Sequence, residues 1–491
     1  MTRWGVPLLA LAAFLATVSG YGVFRDEIYY IACARHLDWG YVDHPPLVAL
    51  VARIFGPSWI ALRVVSAVAF AATIVLAGDI AKAVGGGTFA RIAAQLLVAT
   101  TPIYLSLFSI YSMNALDVLV WAVLFRIAIA LLAGSEPWLW ILFGAVAGIG
   151  LQNKVDVGLL GAGIVGGLLV AGPREVFRRR QLWIGGALAF AIFLPHVIWQ
   201  VAHGFPTAEF IRRAQQHKIS GLSPLGFLAA QVMTIGPVGC AAALLGLAKL
   251  LSVRTFRALG VAALIVTVVL AIGVSKPYYL SPAFTLLLPA GTVPVEAWTT
   301  GRGRVPVRAA VIVAILLSLI AAPLAKPLLP VERYIRYAKA LGIEAGSDEN
   351  HEMGRLPQFF ADMHGWRELA QSVAKVNSAL PPADRALACV YGQNYGEAAA
   401  IDYFGPALAL PPAISGHNAY WTWGPGRCTG ELILIIGGDR EDHLENFATV
   451  EAGGVHHSDL AMPYEGDLTI WIARDLKVPL RDAWAGSRHY D

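Results

Sequence analysis

Apolar runs of about 20 residues alternate with short polar breaks from the N-terminus to about residue 330. Each run is long enough to cross the hydrocarbon core of a bilayer. The pattern predicts spans at about 4–24, 58–82, 88–107, 114–133, 138–152, 155–171, 182–200, 225–249, 258–275, 279–295 and 308–329. Some are short, notably 138–152, a length tolerated when a helix packs among others. Gly and Ala recur throughout and allow close helix approach. From Val331 the apolar runs shrink to strand length. Residues 387–390, 432–436 and 468–472 read as buried strands, and 397–404 and 443–447 as helices between them. That alternation predicts a small α/β domain over 331–491, about 160 residues and large enough for its own core. Residues 346–365 carry Gly, His and acidic groups without periodicity and read as a loop.

Composition sharpens this picture. The chain is 57% hydrophobic and only 14% charged, against roughly 25% charged in a soluble domain. It reads as a mostly α, polytopic membrane protein of about 11 spans or more with a C-terminal α/β domain. The run from residue 4 resembles the core of a signal peptide, but it continues to Phe24 and Val18-Ser19-Gly20 is a weak cleavage site. It is therefore read as the first span. The net charge of +4 matters less than its distribution. Arg174 and Arg178–Arg180 follow the sixth expected span, Lys249, Arg254 and Arg257 the eighth, and Arg302, Arg304 and Arg308 the tenth. Positive loops face the cytoplasm, so Arg3 also lies inside, and residues 21–50 and the region after 330 lie outside. No pair among Cys33, Cys240, Cys389 and Cys428 has metal-ligand spacing. If the C-terminal region is extracytoplasmic, Cys389 and Cys428 are either a disulfide or two separate thiols.

Chemistry concentrates between Tyr21 and Leu50. Arg25, Asp26 and Glu27 follow the first span, then Tyr29 and Tyr30, then Asp43-His44-Pro45-Pro46. Charges at a membrane edge are costly unless solvated or used. The plain alternative is a solvated loop that orients the first helix. On the expected topology other polar groups collect on the same outer face: Asn114 with Asp117 one turn deeper, Lys154, His203, Arg212, Arg213, His217, Lys218 and Lys276. Any one of these cations has a simple reading as a snorkelling side chain. Their joint position on the face opposite the basic loops suits the cleavage of a lipid-linked phosphate. Such a leaving group needs fixed cations where charge develops, and an acceptor hydroxyl needs a carboxylate to take its proton. No phosphate-cradling loop, dinucleotide fingerprint or metalloprotease motif stands out, and Gly85-Gly86-Gly87 reads as a turn. Nothing points to nucleic acid.

These residues carry a family resemblance. Asp26-Glu27 after the first span and His44-Pro45-Pro46-Leu47 before the second resemble the lipid-phosphate-sugar-dependent glycosyltransferases of family 39, which have the GT-C fold and include protein O-mannosyltransferases and aminoarabinose transferases. The resemblance implies that Asp26 is the catalytic base, paired with Glu27. It sets Asp43 and His44 where the aminoarabinose branch has an acidic residue and a phosphate-binding lysine. Arg63, in Leu62-Arg63-Val64-Val65-Ser66-Ala67, is similar to an arginine near the start of the family's second span. Lys154 resembles the lysine of the family's Gly-x-x-x-x-Thr-Lys stretch, and Lys276-Pro277-Tyr278-Tyr279-Leu280-Ser281-Pro282 its Lys-x-x-Tyr-Leu-x-Pro motif. One departure stands out. Met113-Asn114 occupies the place of Thr-Asp or Thr-Glu, so either Asp117 substitutes or the second acid is dispensed with, and any divalent-metal cofactor is left open.

The resemblance implies an inverting, inner-membrane enzyme that moves a sugar from a polyprenyl-phosphate donor to an extracytoplasmic acceptor. His44, Lys154, Arg212, Arg213, Lys218 and Lys276 are the expected donor-phosphate ligands. Tyr29, Tyr30, Asn394, Glu397, His417, Asn418 and Trp421 are acceptor or sugar candidates. For the C-terminal group the competing reading is that its aromatics pack this region on the bundle. A transporter or flippase is the rival class, but transporters usually place polar groups at mid-membrane in repeated halves, and no repeat is evident. A structural subunit whose working part is the C-terminal domain is the third.

Overall fold

The computed structural model describes residues 3–218, 221–273, 275–300, 304–346, 349 and 352–490, with backbone only at 217 and 218. The first helix, α1 (Gly5–Ala16), stops well short of the expected span end at residue 24. The reason lies in the backbone beyond it. Gly20 and Gly22 adopt positive φ, and the Arg63 guanidinium donates to the carbonyls of Val18, Ser19 and Gly22. Those carbonyls find their partner in a side chain instead of a helical N–H.

The stretch expected as a loop contains two helices, α2 (Arg25–Arg35) and α3 (Leu47–Phe55). Every residue of α2 from Glu27 to Ala34 is buried, so the segment has no amphipathic period to betray a helix. Then come α4 (Trp59–Ala83), α5 (Thr88–Thr100), α6 (Pro102–Leu107), α7 (Met113–Leu132), α8 (Leu139–Leu151), α9 (Val157–Ala171), α10 (Arg180–Ala202), α11 (Pro206–Arg213), α12 (Pro224–Ser252), α13 (Arg257–Ile272), α14 (Phe284–Trp298), α15 (Arg304–Leu317) and α16 (Ala322–Ala325). Among the described residues, Trp59–Ala83, Met113–Leu132, Arg180–Ala202, Pro224–Ser252 and Arg304–Ala325 are long and apolar enough to cross a membrane. Shorter apolar helices accompany them.

Small residues set the helix spacing. A Cβ added to Gly246 of α12 would overlap the Leu287 carbonyl of α14, and one on Gly291 of α14 would overlap the Ala242 carbonyl of α12. Only glycine allows the two backbones to touch there. One end of the bundle is tied by charge. Arg3 and Arg91 both pair with Asp79, at 2.7 and 2.9 Å, and Glu296 accepts from the N–H groups of Gly87 and Phe89. That end also holds Arg308. The Gly85–Gly87 segment is a turn there.

The C-terminal region starts with α17 (Val331–Ala340), α18 (Gln358–Ala361), α19 (Trp366–Ala379) and α20 (Pro382–Leu387). A mixed five-stranded sheet follows, in the order β2-β1-β3-β5-β4. Its strands are β1 (Ala388–Tyr391), β2 (Ala413–Ile414), β3 (Leu432–Ile436), β4 (Phe447–His457) and β5 (Asp467–Leu476). Strand β1 runs parallel to β2 and β3, and β5 antiparallel to β3 and β4. The remaining helices are α21 (Tyr395–Phe404), α22 (Asn418–Trp423), α23 (Arg440–Asn446), α24 (Pro463–Gly466) and α25 (Leu480–Gly486). A Cys389–Cys428 disulfide ties β1 to the loop before β3. The stretch read as a loop at 346–365 includes α18, while 347, 348, 350 and 351 fall outside the described residues.

The C-terminal region does not sit apart from the bundle. One hydrophobic core contains Ile28, Tyr29, Tyr30 and Cys33 of α2 together with Val390, Ala398, Ala399, Ile401, Leu434 and Tyr420. Helix α2 is thus a shared wall, packed on its sheet side by α21.

Candidate active site

Glu27 anchors the local geometry. It is the third residue of α2, and its carboxylate accepts the backbone N–H of Phe24 at 2.8 Å, as in a capping box. It also accepts the Tyr111 N–H at 2.8 Å and two bonds from Arg63 at 2.7 and 2.8 Å. Glu27 is 0% and Arg63 2% exposed. The pair fixes the start of α2 and has no access to a reactant, which corrects the expectation of a catalytic Glu27.

Asp26, one residue earlier, points the other way. Its side chain is 31% exposed and lines a cavity of about 650 Å³ with Arg25, Asn114, Lys276, Glu349 and Asp362. Apolar groups from α6 and α12, among them Ile103, Leu107 and Met233, complete the walls. Arg25 links carboxylates: its Nε lies 3.8 Å from Asp26 Oδ1 and its Nη2 3.5 Å from Asp362 Oδ2. Lys276 pairs with Glu349 at 2.7 Å. Tyr395 of α21 donates to Asp26 Oδ1 at 2.9 Å.

A second cavity of about 210 Å³ is lined from neighbouring positions of the same segments. Asp43, Lys154, Asp156 and Tyr279 line it, with apolar Trp121, Phe210 and Leu270. The two cavities alternate along shared segments: Asn114 and Tyr278 face the first, Met113 and Tyr279 the second. Lys154 lies 2.9 Å from Asp156 and 3.7 Å from Asp117, under the ring of Tyr279. Burial opposes its charge, but Asp156 and Asp117 outweigh that and raise the ammonium above its usual range. Asp117 is fully buried, with its carboxylate 3.7 Å from the Lys154 ammonium. Asp43 accepts from the Tyr29 hydroxyl at 2.8 Å, and burial raises its carboxyl above the usual range.

Several expected ligands are placed elsewhere. His44 is 1% exposed. Its Nδ1 bonds the Pro45 carbonyl at 2.8 Å, its Nε2 faces Cys33 Sγ at 3.8 Å, and Tyr29, Tyr30 and Tyr41 surround the ring. It lines neither cavity, so the expectation of a phosphate ligand there is corrected: both ring nitrogens are engaged inside a packed core. Arg212 is exposed on α11, and Arg213 pairs with Glu209 at 3.1 Å. The Lys218 side chain lies outside the described residues. Tyr29 and Tyr30 are buried in the shared core.

The C-terminal candidates pack rather than present. Asn394 caps α21 and donates to Glu465 at 2.8 Å. Glu397 and Asn418 are 2% and 1% exposed. His417 stacks on His489 with ring centroids 4.6 Å apart, and Trp421 donates to the Trp484 carbonyl at 2.9 Å. Trp423 stacks on His36 of the bundle at 4.3 Å. Of these aromatics Trp423 packs against the bundle, while the His417 and Trp421 contacts lie within the C-terminal region. Among the described residues no group of three or more His, Cys, Asp or Glu is arranged to hold a metal ion. The site residues that spacing did not reveal are Arg25, Asp156, Glu349, Asp362 and Tyr395. Arg25 stands beside Asp26 but carried no expected role there, Asp156 stands two residues after Lys154, and the others are brought in by long-range folding.

Residues 43–199 match the family of dolichyl-phosphate-mannose-protein mannosyltransferases. No curated protein sequence matches the chain. Among solved structures, ArnT from Cupriavidus metallidurans superposes with a TM-score of 0.63 at 16% identity in its apo state, over 95% of this chain and 97% of that one. The same protein bound to undecaprenyl phosphate gives 0.61 at 15% identity, with the same coverage. The oligosaccharyltransferase AglB from Archaeoglobus fulgidus, in complex with an inhibitory peptide and a dolichol-phosphate, gives 0.50 at 11% identity, over 84% of this chain and 64% of that one. The chain has the GT-C glycosyltransferase fold, and residues 43–199 of it carry the sequence pattern of the dolichyl-phosphate-mannose-protein mannosyltransferase family.

Proposed function

We propose that this protein is an inverting integral-membrane glycosyltransferase that moves a sugar from a polyprenyl-phosphate carrier to an extracytoplasmic acceptor. The observation that carries the reading is the pair of cavities lined from alternate positions of shared segments, one by Asp26 and the other by Lys154. The likeness to a fold solved with undecaprenyl phosphate supports it. The narrower, more apolar cavity takes the donor, with Lys154 near its phosphate. The larger one takes the acceptor, with its hydroxyl beside Asp26.

Asp26 removes the hydroxyl proton as the acceptor oxygen attacks the anomeric carbon. The bond from that carbon to the phosphate oxygen breaks, and its electron pair leaves with the polyprenyl phosphate. Lys154 offsets the charge that grows there; Arg25 holds the acceptor side, and so does Lys276, expected as a donor-phosphate ligand but lining the Asp26 cavity beside Glu349. Glu27 and Arg63 position Asp26 through the start of α2. Asn114 faces the acceptor cavity as a neutral hydrogen-bonding group, and Asp117 and Asp43 orient Lys154 and Tyr29.

In this reading residues 1–330 are the transmembrane catalytic domain and residues 331–491 an extracytoplasmic domain, in a bacterial inner membrane. The Cys389–Cys428 disulfide supports an oxidising compartment. The positive loops, and the Arg3–Asp79–Arg91 cluster at one bundle end, support the opposite face as cytoplasmic.

The test uses lipid and turnover together. Mass spectrometry of lipid extracted from the purified protein is expected to find a polyprenyl phosphate or its glycosyl derivative. Asp26→Asn is expected to keep that lipid and to lose transfer by roughly 10²–10⁴-fold. Near-parental turnover by the variant removes Asp26 from the mechanism.

A further inference from the structure

The strongest unexplained contact at the site comes from the far end of the chain. Tyr395 is the first residue of α21, and its hydroxyl donates to Asp26 Oδ1 at 2.9 Å across a sequence separation of 369. The phenol is held from every side. Its ring lies 4.6 Å from that of Tyr29 and 5.0 Å from that of His417. The Arg25 guanidinium stands 5.3 Å from its centroid. Its own N–H points at His417 Nδ1, 3.3 Å away. Asn394 fixes the turn of helix that carries it by accepting the N–H groups of Gly396 and Glu397 at 2.8 and 3.1 Å. Tyr395 is 9% exposed, whereas the Asp26 side chain is 31% exposed and faces the cavity. The arrangement is a rigid donor aimed at the same Asp26 oxygen that Arg25 Nε faces at 3.8 Å.

We infer that Tyr395 is a positioning residue for Asp26: it pins one carboxylate oxygen so that the carboxylate faces the acceptor hydroxyl in the cavity. This rests on Asp26 being the base. Burial lifts the Tyr395 hydroxyl well above the ordinary phenol range, despite the opposing Arg25 charge, so it stays a donor at working pH. A carboxylate misplaced by rotation leaves acceptor binding as it was, but it meets the reacting proton less often. The C-terminal region is therefore part of the catalytic centre, beyond any part it has in recognising an acceptor.

Tyr395→Phe isolates the hydroxyl, because the ring and its stacking partners remain. The full-length protein in detergent is assayed with graded amounts of the glycolipid fraction from its own membranes, and glycosylated product is read by mass spectrometry. The expected result is a kcat lower by about tenfold, the scale of one charge-assisted hydrogen bond, with KM within about twofold. The melting temperature should stay within about 2 °C of the parent. Tyr420→Phe is the control. It removes another buried hydroxyl of the shared core, which donates to Asp402 at 2.7 Å, and should lower the melting temperature without a matching loss of kcat. Parental kcat in Tyr395→Phe, or a loss confined to KM, overturns the inference. If Asp26→Asn turns over normally, the base assignment itself fails. If Asp26→Asn is inactive and Tyr395→Phe is not impaired, only the positioning role fails.

Discussion

Replacing Glu27 by glutamine tests whether its charge works on the substrate or on the fold. Each carboxylate oxygen of Glu27 accepts two bonds: Oε1 from Arg63 Nε and the Tyr111 N–H, Oε2 from Arg63 Nη2 and the Phe24 N–H. An amide has one oxygen. Whichever way the substituted amide is turned, its NH₂ meets one backbone N–H and one guanidinium N–H, donor against donor. Arg63, 2% exposed, also loses its counter-charge. An orphaned buried N–H costs about 1–3 kcal/mol, and breaking a buried ion pair costs about 3–5 kcal/mol. The two overlap, because Arg63 keeps its bonds to the carbonyls of Val18, Ser19 and Gly22. The expected loss is therefore about 3–5 kcal/mol in total. Unfolding of a membrane protein of this size is expected to be irreversible, so the assay is an apparent melting temperature at one scan rate in detergent, followed by tryptophan fluorescence. Glu27→Gln should melt several degrees below the parent, while Asp26→Asn should melt with it. If Glu27→Gln melts within about 1 °C of the parent yet loses transfer, the glutamate acts chemically and the assignment above is wrong.

Other predictions follow from the same geometry. Lys154→Ala should raise the donor Kd and lower kcat together, since the phosphate is anionic before and after bond cleavage; His44→Ala should leave donor affinity and its pH profile unchanged while lowering the melting temperature, as measured by donor titration and thermal scans. Glu465 sits against Glu397 and Asn394 with Arg25 and Asp362 nearby, and burial first of all raises its carboxyl to about 7. A raised folded-state value means its stabilising contribution is complete below the ordinary glutamate range and is lost as pH rises through about 7. The apparent melting temperature should fall across that window, and Glu465→Gln should flatten the fall; an unchanged slope in the variant discounts the pair.

Polar residues stranded in apolar sequence were legible because the membrane makes them costly. That is why Asp26, Asn114, Lys154 and Lys276 could be singled out, and all four reach the two cavities. The burial of His44 was not legible: its place in a motif gives its neighbours in sequence, but the ring's environment comes from Cys33 and three tyrosines. Helix α2 escaped detection because both of its faces are covered, one by the bundle and one by α21. Strand β4 escaped for the opposite reason. Its burial is irregular along Phe447–His457, with exposed positions in runs and not in strict alternation. Asp362, Glu349 and Tyr395 enter the site through contacts with Arg25, Lys276 and Asp26 that span far more sequence than any local motif.

The shared core around α2 has a consequence for biosynthesis. Helix α2 leaves the ribosome early, yet the wall that buries it is made by α21 and the sheet, and the hydroxyl that meets Asp26 arrives 369 residues later. Until that segment has folded, the side of α2 that packs on α21 has no cover. A chain interrupted before the sheet leaves that apolar side of α2 exposed. In the proposed reading, activity is thereby withheld from incomplete copies, which lack the hydroxyl that meets Asp26.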